Sequence, residues 1–415
     1  MSIKQSSAQT TVCVSLRCDI FCHVVDNFGD IGVCWRLARQ LANEHGHAVR
    51  LWVDDLNSFA KLCPEADVAM GKQKCRGVEV CLWRKEFPDA QPADVVIEAF
   101  GCALPESYLG AMAAQQKPPV WVNLEYLSGE NWVEGCHKLP SPHPSLPLTK
   151  YFFFPGYTPQ TGGLLLERDL LARRDEFLNE AAQQQAFWQS IGLETPSDET
   201  LKISLFSYEN AALRGLFDTW AGGTQSVLCL VPEGRILPQL EHYFAQVGRD
   251  SSRPGGCVGM NPDLQSYTCG NLHVRVLPFV EQDRYDLLLW ACDVNFVRGE
   301  DSCVRAQWAG KPFIWQIYPQ HDAVHWGKLQ AFLSIYKVSS DPSASEAMRG
   351  LWQTWNRESG AGQAWPAFAA ALAALEHHAR QWVRQIAENN LALNLLDFCQ
   401  EIGRIRASEI EGQQT

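Results

Sequence analysis

The sequence predicts an α/β protein built from two Rossmann-like domains that face a cleft, with a C-terminal helical segment. Three observations predict it. An apolar run from Arg17 to Val25 leads through a glycine-bearing loop into Ile31, Trp35, Leu37, Ala38 and Leu41 at helical spacing, which is a strand, a tight turn and a helix. Strand-like and helix-like runs alternate through the first third of the chain, and a second such series begins at Leu201, so each half implies a parallel sheet wrapped on both faces. Residues 365–402 are rich in alanine and leucine and read as one long packing helix with few breaks.

In chain order, strands are expected over 48–53, 78–83, 94–99 and 119–124, with helices through Phe59 and Leu62 and over 108–114. The proline-rich run 140–147 predicts a loop, and 150–163 a second loop-rich segment, either an interdomain surface or an acceptor platform. A charged helix is expected over 167–189 and a boundary over 192–200. The second series predicts strands over 202–207, 226–231, 274–280, 293–297 and 312–317. Helices run through Leu213, Leu216 and Trp220, over 282–290, from Val304 and over 325–333, and a Gly-, Ser- and Pro-rich loop covers 250–269. The expected domains are a Rossmann-like domain over 1–165, a linker helix over 166–200, a second Rossmann-like domain over 201–362, and C-terminal helices over 363–415 that pack back on the first domain.

Composition excludes several classes of function. With 415 residues and 46% hydrophobic content the chain buries a sizeable core. A net charge of −12 with no basic run argues against a nucleic-acid partner, which needs clustered Lys and Arg. The fifteen cysteines lie in apolar stretches without a CxxC pair, as small buried hydrophobes in a reducing compartment do. No membrane-spanning run and no apolar leader stands out, so a cytoplasmic protein is expected.

Two places carry chemistry. The loop Asp26-Asn27-Phe28-Gly29-Asp30-Ile31-Gly32 sits at the carboxyl end of a strand, where open α/β sheets bind ligands, and lacks both the dinucleotide and the P-loop spacing. Its carboxylates suit an acceptor or a proton, although Asp30 as a helix cap and Asp26 as a turn residue explain the same letters. The second place is Arg298-Gly299-Glu300-Asp301-Ser302, between an apolar strand and a helix, where backbone N–H groups suit a phosphate while the Asp301 side chain caps. Plain capping is again the alternative. Phe206, Tyr208, Tyr285 and Tyr318 fall at equivalent strand ends, a placement that suits stacking on a nucleobase, and Gln282 and Gln320 offer hydrogen bonds. A diphosphate at a helix N-terminus beside an aromatic slot describes the donor half of a GT-B nucleotide-sugar glycosyltransferase.

Asp26 to Leu41, Glu300-Asp301-Ser302 with Val304-Arg305-Ala306-Gln307, Tyr318-Pro319-Gln320, Asn123 to Ser128 and Thr161-Gly162-Gly163 closely resemble the bacterial protein-arginine rhamnosyltransferases called EarP, over nearly the whole chain. The resemblance implies a GT-B fold and an inverting, metal-independent transfer of rhamnose. The donor would be dTDP-β-L-rhamnose, the acceptor one arginine of translation elongation factor P, and no cofactor is implied. The family's catalytic carboxylates fall on Asp26, Asp30 and Glu300, its pyrophosphate contacts on Asp301 and Ser302, and its nucleoside pocket on Phe206, Tyr208, Phe279, Gln282, Tyr285 and Tyr318. A guanidinium must lose a proton as it attacks, which requires a carboxylate partner, assigned to Asp30. Acceptor contacts are expected from loops over 123–163. The rival readings are a GT-B enzyme acting on a small molecule, a nucleotide-sugar epimerase, and an elongation factor P-binding module that has lost its chemistry.

Overall fold

The computed structural model describes residues 15–25, 28–248, 257–261, 266–318, 324–338 and 340–413. Its first lobe runs β1 (Arg17–Cys22), α1 (Gly29–Asn43), β2 (Ala48–Val53), α2 (Leu56–Leu62), β3 (Lys72–Cys75), β4 (Val78–Leu82), β5 (Val95–Ala99), α3 (Glu106–Ala113), β6 (Val120–Leu124), α4 (Trp132–Cys136), β7 (Pro140–Pro142) and β8 (Thr149–Phe153). These strands form one eight-stranded sheet in the order β3-β4-β2-β1-β5-β6-β8-β7. The interior strands are parallel, and only the edges β3 and β7 run antiparallel to their neighbours. β5 and β6 are buried along their whole length, which is why Val-Val-Ile-Glu-Ala and Val-Trp-Val-Asn-Leu are near-continuous apolar runs.

The connector carries α5 (Leu170–Asn179) and α6 (Ala181–Ser190). The single helix expected over 167–189 is therefore two, parted where Glu180 turns to extended backbone. The second lobe follows with β9 (Leu201–Leu205), α7 (Leu213–Gly222), β10 (Val227–Pro232), α8 (Leu237–Val247), β11 (Cys257–Asn261), β12 (Ser266–Cys269), β13 (Leu272–Leu277), α9 (Gln282–Ala291), β14 (Val294–Arg298), α10 (Asp301–Ala309), β15 (Phe313–Gln316) and α11 (Val324–Ile335). Its seven strands are ordered β11-β12-β13-β10-β9-β14-β15. Two Rossmann-like sheets facing a cleft make the expected GT-B architecture.

The structure departs from the sequence reading in further places. Lys150 to Phe153, read as loop, belongs to β8 and pairs parallel with β6. The described part of 250–269 holds an antiparallel edge hairpin, β11 with β12, instead of a loop. There Cys269, opposite Cys257 in the register, is disulfide-bonded, whereas Cys18, Cys22, Cys34, Cys229 and Cys303 are buried free thiols. The stretch 365–402 is not continuous. It spans α13 (Ala361–Ala370), α14 (Leu372–Ile386) and α15 (Leu391–Gln413), preceded by an unanticipated α12 (Pro342–Asn356).

The break between α14 and α15 marks where the chain returns to the first lobe. α13 and α14 bury Trp365, Phe368, Leu375 and Trp382 in the core of the second sheet, while α15 buries Leu391, Leu395, Phe398 and Cys399 in that of the first. The Leu164 N–H donates to the Asn389 carbonyl at 3.1 Å and the Leu391 N–H to the Leu164 carbonyl at 2.9 Å. Side chains add to this seam: Asn389 Nδ2 donates to the Thr158 carbonyl at 2.8 Å, Asn390 Nδ2 to that of Leu166 at 2.7 Å and Asn394 Nδ2 to that of Gly162 at 3.0 Å. Thr161-Gly162-Gly163 is thus an internal splice.

Gly163 has φ +81°, and a Cβ there would lie 2.2 Å from the Asn389 carbonyl oxygen. Gly163→Ala is expected to destabilise the chain by about 2 kcal/mol or more, through the left-handed backbone and the clash together. Urea unfolding followed by tryptophan fluorescence reads this as a lower midpoint, and an unchanged midpoint would mean the crossing is loosely packed.

Candidate active site

The first half of the candidate site begins where β1 ends. α1 begins at Gly29 and carries Asp30 in its first turn; Asp26 lies outside the described residues. Phe28 occupies the N-cap position with no side-chain capping bond, so Asp30 does not cap the helix. The buried Asp30 side chain instead accepts the Val25 N–H on Oδ2 at 3.0 Å and the Tyr126 hydroxyl on Oδ1 at 3.2 Å. Tyr126 stacks on Phe100 with ring centroids 4.4 Å apart, and Lys328 Nζ lies 5.6 Å from its ring. Burial and the Asp30 charge push the Tyr126 phenol upward, keeping it a proton donor.

Glu300 approaches the same place from the second lobe. It precedes α10 and accepts the backbone N–H of Leu127, next to Tyr126. Burial is the largest influence on its carboxyl, and with the Asp30 and Asp301 charges it outweighs Leu127 and Lys328, pushing the group up to about 8. Two carboxyls from opposite lobes therefore sit within range of each other, a setting ready for a cation.

In the second lobe a cavity opens at the carboxyl edge of the sheet. It is lined by Phe206, Phe279, Gln282, Tyr285, Arg298, Asp301 and Ser302, with Phe28 and Gly29 from the first lobe. Phe279 meets Phe28 across the lobes at 4.8 Å. The expected aromatic set does not form one slot. Arg298 lies between Phe206 and Tyr208, 4.5 and 4.4 Å from their ring centroids, and Tyr208 turns edge-on to Tyr318 at 5.5 Å, so these two tyrosines stand behind the arginine. Gln320 lies outside the described residues.

The turn into α10 uses Gly299 at φ +66°, a left-handed conformation that glycine adopts without a Cβ penalty. The first helical bond of α10 runs from the Val304 N–H to the Glu300 carbonyl, so the amides before it are free of helix partners at the cavity edge. The Ser302 hydroxyl donates back to the Arg298 carbonyl, which leaves its N–H as the donor toward the cavity. Asp301 does not cap either. Its Oδ1 accepts Arg36 Nε at 2.8 Å and its Oδ2 accepts Gln282 Nε2 at 3.2 Å. Gln282 Nε2 also donates to the Gly32 carbonyl at 3.0 Å, and its buried Oε1 has no partner among the described residues.

Arg36 opens a network that sequence reading missed. Besides Asp301 it reaches Glu167 at 3.4 Å and Asp286 at 3.5 Å. Arg305, one turn beyond Asp301, grips Asp286 through Nε at 2.8 Å and a terminal nitrogen at 2.6 Å, and Glu167 at 2.6 Å. Burial alone would raise Glu167; the two guanidiniums overcome it and hold the carboxyl well below its ordinary range. The available signal was two arginines on otherwise apolar helix faces, at Arg36 among Val33, Leu37 and Gln40, and at Arg305 among Val304, Ala306 and Trp308. Arg298 ends an apolar strand in the same way, and Tyr126 carried no signal of its own.

The family model of the elongation factor P (EF-P) rhamnosyltransferase EarP matches residues 18–400. The chain is 51% identical over 381 residues to a protein-arginine rhamnosyltransferase of Pseudomonas putida, covering 92% of this chain and 97% of that one. Against the Pseudomonas aeruginosa protein of the same description it is 46% identical, covering 92% and 98%. A solved structure concerning EarP-mediated arginine glycosylation of translation elongation factor EF-P aligns with TM-score 0.64 and 38% identity, over 93% of this chain and 99% of that one.

The raised Glu300 carboxyl has a stability consequence of definite sign. A folded-state value near 8 against an ordinary 4.5 means that the folded chain holds a proton the unfolded chain releases, so stability falls as pH rises through that window. Glu300→Gln, which mimics the protonated form, is expected to lie within about 1 kcal/mol of the parent near pH ~5 and to exceed it by about 4 kcal/mol near pH ~8. Urea midpoints at the two pH values check this, and an offset independent of pH would show that Glu300 ionises freely.

Proposed function

The chain belongs to the EarP family, whose enzymes transfer rhamnose to an arginine of elongation factor P, and we propose the roles by which its own residues do so. The second lobe takes the donor, dTDP-β-L-rhamnose. Its thymine enters the cavity between Phe206, Phe279 and Tyr285, where Gln282 Oε1 is a buried acceptor suited to an imide N–H. The diphosphate meets the N–H groups at the start of α10, with the Arg298 guanidinium adding positive charge; as the leaving group departs, these donors offset the developing charge without a metal. Tyr208 and Tyr318 support that arginine from behind.

The first lobe takes the acceptor. An arginine side chain reaching the cleft places its guanidinium between Asp30 and Glu300, and the arriving cation favours the ionised form of both. Asp30, its oxygens fixed by Val25 and Tyr126, accepts the proton as the nitrogen attacks the anomeric carbon opposite the diphosphate, so configuration inverts in one step. Glu300 steadies the second face of the guanidinium or the sugar hydroxyls. Asp26 holds a further guanidinium nitrogen or the loop itself. The protein around that arginine rests on 125–148, where Trp132 is 54% and Leu139 47% exposed.

One observation carries the reading. Glu300 accepts the Leu127 N–H, next to the Tyr126 whose hydroxyl is bonded to Asp30, while the next two residues, Asp301 and Ser302, line the cavity, so a sugar on a diphosphate held at that turn lies beside the carboxylate pair. Intact-mass spectrometry of elongation factor P incubated with the protein and dTDP-β-L-rhamnose tests it. The unmodified chain adds one deoxyhexose; Asp30→Asn slows addition on the order of 10²- to 10⁴-fold with donor binding intact. Undiminished turnover by Asp30→Asn removes the assigned base, and no addition despite dTDP-rhamnose binding removes the proposed donor.

A further inference from the structure

The start of α10 poses an electrostatic problem. Its open amides suit a phosphate, yet the first residue of the helix is Asp301, a like charge beside the very place where a nucleoside diphosphate would sit. The structure answers with a cation from the other lobe. Arg36, on α1 and 1% exposed, donates from Nε to Asp301 Oδ1 at 2.8 Å, and Gln282 from Nε2 holds Oδ2 at 3.2 Å, so both oxygens are turned into the seam between the lobes.

Among the described residues, Arg36 is the cation bonded to Asp301. Arg305 is already committed, bidentate to Asp286 and bonded to Glu167, and Gln282 is neutral. Two guanidiniums face three carboxylates, and removing Arg36 leaves Arg305 alone against all three. The close fit is built for this contact, since a Cβ on Gly32 would lie 3.2 Å from Asp301 Oδ2 and 3.0 Å from Gln282 Nε2.

We propose that Arg36 is a positioning residue of the donor site, supplied by the opposite lobe, which turns the Asp301 carboxylate away from the α10 N-terminus and cancels its charge so that a nucleoside diphosphate binds there. The same helix carries Asp30 in its first turn, so the acceptor carboxylate and the donor clamp ride on one rigid rod and share one frame with the diphosphate. The inference rests on the reading that the donor's diphosphate occupies the α10 N-terminus.

Charge compensation acts on phosphate and not on the base, which separates it from a merely structural role. Calorimetry on the full-length chain with dTDP and with thymidine reads the difference. Arg36→Met is expected to weaken dTDP binding on the order of ten- to a hundredfold while thymidine affinity changes by less than about threefold. Arg36→Lys, which keeps the charge, regains most of the preference for dTDP. Equal losses for both ligands, or no loss for dTDP, overturn the proposal. Arg36→Met combined with Asp301→Asn removes both charges and covers the case in which the single variant does not fold; it keeps the parent preference for dTDP, and losing that preference counts equally against the proposal. A parent chain that binds thymidine as tightly as dTDP refutes the placement of the diphosphate itself.

Discussion

Everything at the cleft depends on a buried lattice of two arginines and three carboxylates. Arg36 comes from the first lobe, Glu167 from the connector, and Asp286, Asp301 and Arg305 from the second lobe, so these three parts of the chain are joined by charge. Taking such groups out of water costs several kcal/mol per ion, and the attraction offsets this only where geometry is good and each lone pair is met. The bidentate Arg305–Asp286 contact and the doubly bonded Asp301 meet that condition. An apolar seam of the same volume would hold the lobes together as well, but without fixing the rotation of α10 relative to α1.

That rotation decides the chemistry. Glu300, just before α10, accepts the Leu127 N–H from the first lobe, and the first two residues of α10, Asp301 and Ser302, line the cavity, so a small turn of α10 about its axis would separate the two halves of the candidate site. α1 carries Asp30 in its first turn and Arg36 one and a half turns later, buried along nearly its whole length, and is thereby the reference rod for both. Gly32 lets the two helices pack where a Cβ would sit 3.2 Å from Asp301 Oδ2, so that a side chain there would push the carboxylate aside.

Much of this architecture was legible in the sequence, for a physical reason. Parallel strands buried on both faces must be apolar throughout, so β5, β6, β9, β10 and β14 announced themselves, and the carboxyl ends of β1 and β14 pointed to Asp30, Glu300 and Ser302. Edge strands carry no such signal. Lys-Gln-Lys-Cys of β3 and Ser-Tyr-Thr-Cys of β12 look like loops because their burial is one-sided. β8 hid behind its flanking prolines. The Asp301 side chain was read as a cap because helix-start aspartates usually are; its true partner is 265 residues away, a separation no local pattern reports. The same holds for Tyr126 and Asp30, 96 residues apart, and for Arg298, whose stacking partners Phe206 and Tyr208 come from a different strand end.

The chain passes between the lobes twice, once through 164–167 and again through 387–391, and the two passages are bonded side by side at Leu164, Asn389 and Leu391. A single tether would allow one lobe to roll, twist and swing about the other. Two tethers laced together act as a door hinge with one pin: shear and twist are suppressed, and the remaining freedom is a swing about the line of the seam. Such a motion brings the mouth of the cleft together or apart while Arg36 and Glu167, close to the pin, barely move. Opening for a bulky protein acceptor and closing over a small sugar then become two positions of one coordinate, with the ionic lattice as its bearing.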